Sequence, residues 1–270
     1  MRFPRLIREK RVTMTPYLRR LVVVPTYQEA ETITTALDAV LAAAPGVDVL
    51  VVDDNSPDGT ADLVRSHPAY GTVVHLLTRP GKDGLGAAYR AGFAWALNED
   101  YHQIAQMDAD LSHPADRLPA LFEALTDADV AVGSRYVRGG AVSNWGLHRQ
   151  LLSRGGNVYV RVVLGTGVRD NTAGFKAFRR DALLAIEVLA SQSSGYAFQI
   201  ENTWRAHRRG LRIAEVPITF TDRTAGSSKM SGPIAREALG RALRWRLGEL
   251  RQGRATRVPV RSDRDLLNTR

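Results

Sequence analysis

Through the first half of the chain, short apolar, β-branched runs alternate with stretches of helical periodicity. Residues 21–24 and 47–52 (VDVLVV) read as strands, and 29–44 between them reads as a helix, so the three form a βαβ unit. The pattern repeats with a helix over 58–67, a strand over 72–77, a helix over 85–98, a strand over 102–107, a helix over 114–125 and a strand over 129–132. Such alternation predicts an α/β domain, a doubly wound, mostly parallel sheet with helices on both faces.

After Gly140 the alternation stops. Residues 147–164 read as a helix interrupted at Gly155-Gly156, 175–178 as a short strand, 195–209 as a helix and 211–220 as a strand. A Gly/Ser-rich loop (DRTAGSSKMSG, 222–232) precedes a basic amphipathic helix over 233–250, with Ile234, Ala238, Ala242, Trp245 and Leu250 near one face. The chain divides into a basic lead-in (1–19), a main domain (20–232), this helix (233–250) and a basic, mobile tail (251–270). It contains no internal repeat.

In an open α/β sheet, ligands bind outside the carboxyl ends of the strands. Polar clusters follow four of the predicted strands: PTYQE, DDNSPDG, DADLS and GSRY. In MDADLSHP (107–114), Asp108 and Asp110 flank a small residue, and two carboxylates so placed can chelate a hard divalent ion, Mg²⁺ or Mn²⁺, that also touches a diphosphate. Asp53, at the end of the second strand, is a candidate acceptor for a nucleobase or ribose, as is Glu29, which reads equally as a first-turn helix acid. Tyr27 offers a face for base stacking, and Asp58 reads equally as a helix cap.

The stretch RPGKDGLGAAYRAG (79–92) invites a dinucleotide reading, but the third glycine of that fingerprint falls on Tyr89. Arg135 at a strand end and Arg149, Ser153 and Arg154 on the following helix are suited to gripping phosphate. Arg223 and Lys229 in the Gly/Ser-rich loop read as a lid that closes over phosphates.

Composition narrows the choice. At 270 residues and 44% hydrophobic content the chain can bury a full core, and with no cysteine it has neither disulfides nor a thiolate nucleophile. The net charge of +9 suggests nucleic acid or an anionic membrane until its position is considered. Residues 1–20 carry seven Lys/Arg against one acid and 241–270 carry nine against three, so the central body is slightly acidic and no nucleic-acid partner is expected. No apolar run reaches the roughly 20 residues that span a bilayer. The N-terminus has no apolar signal-peptide core, and Met14 is a candidate start.

The segments VVVPTYQEAETI, VVDDNSPDGTAD, GKDGLGAAYRAGF, MDADLSHP, VGSRYVRGG, SRGGNVYV, GYAFQIE and EVPITFTDRTAGSSKMSG together resemble the polyprenol- or dolichyl-phosphate mannosyltransferases of glycosyltransferase family 2, in the form without C-terminal transmembrane helices. The resemblance covers roughly residues 20–232 and implies a GT-A fold with acceptor-side elements following it. It implies an inverting transfer of mannose from GDP-mannose to polyprenyl phosphate, with Asp108, Asp110 and Arg135 at the chemistry. On the same resemblance Pro25, Tyr27, Glu29 and Asp53 hold the guanosine, and Asp108, Ala109 and Asp110 hold the metal and diphosphate. Arg223 and Lys229 close on the nucleotide, while Arg135, Arg149 and Ser153 cradle the acceptor phosphate.

One departure is DNTAGFKAF (170–178), where the family more often has a Thr-Gly-Phe-Arg-type string, and a change in acceptor contacts is expected there. The alternatives are a polyprenyl-phosphate glucosyltransferase using UDP-glucose, and an inactive scaffold whose basic ends bind lipid or nucleic acid. The expected location is cytoplasmic, peripheral to the cytoplasmic face of an anionic membrane through the last helix and tail, with room for a separate membrane-spanning partner.

Overall fold

The computed structural model describes residues 18–222 and 232–252. At its centre β1 (Arg20–Thr26) lies parallel to β2 (Val47–Asp53) on one side and β4 (Gln103–Gln106) on the other, and β3 (Val74–Thr78) extends the sheet beyond β2. Along β1, Val22 and Val24 face one apolar cluster while Leu21 and Val23 face another, which is why residues 21–24 are apolar at every position. Helices α1 (Ile33–Ala43) and α4 (Leu118–Ala124) cover the first face. Helices α3 (Leu85–Asn98), α6 (Arg180–Ala185) and α7 (Gly195–Arg208) cover the second, and the short α2 (Thr60–Ser66) joins β2 to β3. Gly92 sets the closeness of α3, because a Cβ there would lie 2.4 Å from Val23 Cγ1.

Among the described residues the main sheet has the order β3-β2-β1-β4-β7-β5-β8, where β5 is Val130–Ser134, β7 Lys176–Arg179 and β8 Ile213–Pro217. β7 is antiparallel to both neighbours, with Gln106 opposite Lys176. The alternation did not predict that direction. The chain leaves β5 and returns to β7 at the carboxyl rim, where Arg135, Trp145, Arg149, Thr172 and Gly174 line one cavity, so β7 starts at the rim and runs back through the sheet. A smaller parallel pair, β6 (Ala141–Ser143) and β9 (Thr219–Thr221), closes that side.

The helix α5 (Leu147–Leu164) is continuous, contrary to the interruption expected at Gly155-Gly156. Two glycines weaken a helix by about 1 kcal/mol each relative to alanine but keep their N–H groups, and the packing of Val160 and Leu164 against α7 and α8 (Gly232–Gln252) holds the turn. Ala238 and Ala242 of α8 are buried in that contact, and Trp245 stacks on Trp204 at 5.2 Å. Three of the five apolar positions predicted on α8 are therefore engaged inside the protein. No helix of the described residues is long and apolar enough to cross a membrane.

Candidate active site

The carboxyl ends of β1, β4 and β5 converge on a cavity of about 260 Å³. β1 brings Pro25 and, just beyond it, Tyr27 and Glu29; the segment after β4 brings Asp108, Ala109 and Asp110; β5 leads into Arg135; and Arg149 enters from α5. Each of these predicted site residues lines the same cavity. One face of the Tyr27 ring is covered by Lys82, whose Nζ sits 4.0 Å from the ring centroid. Glu29 precedes α1 by four positions and so is not in its first turn. Arg223 and Lys229 lie outside the described residues.

Asp53 departs from expectation. Its carboxylate is fully buried and accepts from Thr26 Oγ1 at 2.8 Å, from Ser56 Oγ at 2.6 Å and from the Ser56 N–H at 2.9 Å, so it ties β1 to the β2 turn and does not line the cavity. The strand pleat turns successive side chains to opposite faces, which puts its neighbour Asp54 on the cavity wall instead. Burial pushes the Asp54 carboxyl above its usual range, and Arg79, which donates to it at 2.6 Å, pulls it partly back. Asp58 is structural, accepting from the Thr60 N–H and hydroxyl and from the Ala30 N–H.

Asp108 and Asp110 are held differently. The buried Tyr89 hydroxyl donates to Asp108 Oδ1 at 2.9 Å, and burial, reinforced by Asp108, keeps that phenol well above its usual pKa. The position that failed the dinucleotide test thus supports a cavity carboxylate. The Asp108 N–H donates to His113 Nδ1 at 3.1 Å, and Asp110 Oδ1 accepts from the Ser112 N–H and hydroxyl. Among the described residues no group of three His, Cys, Asp or Glu is arranged to hold a metal ion by itself. Two hard carboxylates without a third protein ligand suit an ion such as Mg²⁺ or Mn²⁺, which retains positions for water and phosphate oxygens.

The arginine side is an ion-pair framework. Arg135 donates to both Asp170 oxygens at 2.7 Å and to Thr172 Oγ1 at 2.9 Å, all within the protein interior. Burial opposes the guanidinium charge, but the Asp170 carboxylate outweighs it and raises the Arg135 pKa overall. Glu215 of β8 accepts from the Arg169 and Asp170 N–H groups, and Asn157 of α5 exchanges hydrogen bonds with Thr172, so the loop carrying Asp170 is held from two sides. Arg149 pairs with Asp222 at 2.5 Å and lies 4.1 Å from the Trp145 ring centroid.

Ser153 does not line this cavity. It accepts from the Tyr136 hydroxyl at 2.6 Å and faces an adjoining apolar groove of about 360 Å³ between α5, α7 and α8. Arg135, Trp145, Thr172 and Tyr196 line both spaces. Gly155 and Gly156 also line the groove, where a side chain would narrow it.

Tyr89, Asp170 and Trp145 were not singled out because none follows a predicted strand in a polar cluster, whereas Asp222 does open such a cluster, after the strand predicted over 211–220, and was passed over for the loop cations Arg223 and Lys229. Lys176, in the departing DNTAGFKAF string, lines neither space. It is fully buried, donates to the Gln199 carbonyl at 2.7 Å and Thr203 Oγ1 at 2.9 Å, and burial lowers its pKa to about 7. Elsewhere in that string Thr172 and Gly174 do line the cavity.

The family model for glycosyl transferase family 2 matches residues 21–186. An undecaprenyl-phosphate mannosyltransferase of Micrococcus luteus is 46% identical over 241 residues, covering 89% of this chain and 99% of that protein. A polyprenol monophosphomannose synthase of Mycolicibacterium smegmatis is 47% identical over 239 residues, covering 88% and 90%. Among solved structures, glucosyl-3-phosphoglycerate synthase from Mycobacterium tuberculosis in complex with Mg²⁺ and uridine-diphosphate matches with a TM-score of 0.64 at 20% identity, over 86% of this chain and 80% of that one. At that identity the last likeness speaks to fold alone.

Proposed function

We propose a mannosyl transfer for this chain, which belongs to glycosyl transferase family 2. The donor is GDP-mannose, the acceptor a polyprenyl phosphate, and the products polyprenyl-phosphate mannose and GDP. The relatives named for this transfer support the reading. The observation that carries it is the joining of a charged cavity to an apolar groove. An acceptor with an anionic head and a long hydrocarbon tail needs both, and Arg135 stands where they meet.

Pro25, Tyr27, Glu29 and Asp54 line the end of the cavity assigned to the nucleoside, and Asp108 and Asp110 are assigned to the diphosphate. A divalent cation, Mg²⁺ or Mn²⁺, held by Asp108 and Asp110 would offset the charge of the departing diphosphate. Polyprenyl phosphate has its second pKa near about 6 and is already a nucleophilic anion at neutral pH, so no strong protein base is required. The chain's own part is positioning: Arg135 and Arg149 hold the acceptor phosphate in line with the sugar, and the groove fixes the tail.

A peripheral membrane contact is proposed for α5 in addition to α8, which exposes Leu243 and Leu247, and to the tail, which beyond Gln252 lies outside the described residues. The outward face of α5 exposes Leu147 (78%), Leu151 (70%) and Val162 (73%), and Leu151 also borders the groove, so a peripheral, cytoplasmic-face contact there would pass the lipid directly inward. The test is incubation with labelled GDP-mannose or UDP-glucose plus polyprenyl phosphate, with and without Mg²⁺ or Mn²⁺. Label is expected in lipid from GDP-mannose with metal. Transfer from UDP-glucose instead, or from neither donor, overturns the assignment.

A further inference from the structure

Trp145 stands at the junction of the charged cavity and the apolar groove and lines both. Its placement is built from the backbone outward. Asn144 before it adopts φ 61°, a left-handed conformation that a non-glycine residue holds at a cost, and the Trp145 carbonyl accepts from Gln150 Nε2 at 3.0 Å in the first turn of α5. The ring lies against the Arg149 guanidinium at 4.1 Å and that of Arg135 at 5.6 Å, and meets Phe220 edge to face at 5.6 Å.

The residue is only 8% exposed, yet its indole N–H has no hydrogen-bond partner among the described residues, and neither does the buried Nε of the adjacent Arg149. An indole N–H can only donate, and a buried donor without an acceptor is costly. Both donors belong to residues that line the cavity beside Arg135, and an anionic acceptor bound there, with a small side-chain shift, would give them a partner.

We propose that Trp145 is an acceptor-specificity residue whose indole N–H donates to an oxygen of the polyprenyl phosphate while its ring holds the Arg149 guanidinium flat against that phosphate. Its edge on the groove side forms the wall along which the hydrocarbon leaves the charged cavity. The proposal rests on the acceptor assigned above.

The test uses the full chain with farnesyl phosphate, farnesol and GDP as separate calorimetric probes, alongside acceptor kinetics. Trp145→Phe keeps an aromatic face and loses the donor. Its affinity for farnesyl phosphate is expected to fall about tenfold, the scale of a hydrogen bond to a charged group, with a matching rise in acceptor KM. Affinities for farnesol and GDP are expected to hold. Trp145→His, which retains a ring N–H, is expected to bind farnesyl phosphate more tightly than Trp145→Phe.

Unchanged farnesyl phosphate binding in Trp145→Phe, an equal fall for farnesol and GDP, the reverse order of the two variants, or no binding by the parent protein each overturns the proposal. If the binding pattern appears but the parent transfers no mannose, the role of Trp145 stands and the assigned reaction fails.

Discussion

The two sides of the cleft are built by opposite means. On the donor side, β1, β2 and β4 run parallel, and backbone register alone brings their carboxyl ends together, so Pro25, Asp54 and Asp108 need no side-chain contact with one another to share a cavity. On the acceptor side, the groups come from a strand end, a helix and two loops, and side-chain ion pairs hold them. Arg135 with Asp170 spans 35 residues, and Arg149 with Asp222 spans 73. A site placed by sheet register tolerates changes around it. A site placed by ion pairs depends on residues that need never touch the substrate.

The largest effect is expected where the donor side has no redundancy. Asp110→Asn retains an oxygen for Ser112 but weakens the metal site, and transfer is expected to fall about a thousandfold or more while the thermal midpoint stays near that of the parent. Full transfer in this variant, or parent activity in excess EDTA, breaks the carboxylate assignment.

Next comes the acceptor framework. Asp170→Asn leaves Arg135 buried without its counter-charge, so denaturant unfolding should show a loss of about 3 kcal/mol, and kcat/KM for the acceptor should fall about a hundredfold. GDP affinity should hold. A parallel loss of GDP binding would mean that the two sides are not independently built.

The smallest effect lies at the seam, on β7. Because burial lowers the Lys176 pKa to about 7, the unfolded chain binds more protons than the native state between pH 7 and the ordinary lysine range. Native stability contributed through this residue therefore rises with pH across that window. Relative to Lys176→Met, the parent should gain stability with a slope approaching about 1.4 kcal/mol per pH unit above pH 7, read by urea unfolding at a series of pH values. Below that window the difference should be flat, and a slope of opposite sign would remove the buried-amine account.

Donor-side residues were readable because a polar cluster directly after an apolar strand has few places to go in a parallel α/β sheet. Asp53 shows the limit of that reasoning. Two adjacent aspartates stand at and just beyond the end of the same strand, and composition cannot say which faces the ligand; the pleat and the Thr26 and Ser56 partners decide it. On α8 the amphipathic pattern was correct, but an apolar face suits a membrane and a neighbouring helix equally well, and the structure engages Ala238, Ala242 and Trp245 with Val160 and Trp204 while Leu243 and Leu247 stay exposed. Gly155 and Gly156 were read as a break when they are helical positions that leave the groove open.

By itself the sequence determined the alternating α/β layers, the rim on which the chemistry gathers, and the carboxylate pair after β4, because these follow from short-range periodicity and strand order. Only the tertiary structure decided the antiparallel insertion of β7, the pairing of Arg135 with Asp170 and of Arg149 with Asp222, the seat of Trp145 and the apolar groove beside it. Those features depend on contacts between segments far apart in the chain, and no local pattern of hydrophobic and polar residues encodes which distant side chain will neutralise a buried charge.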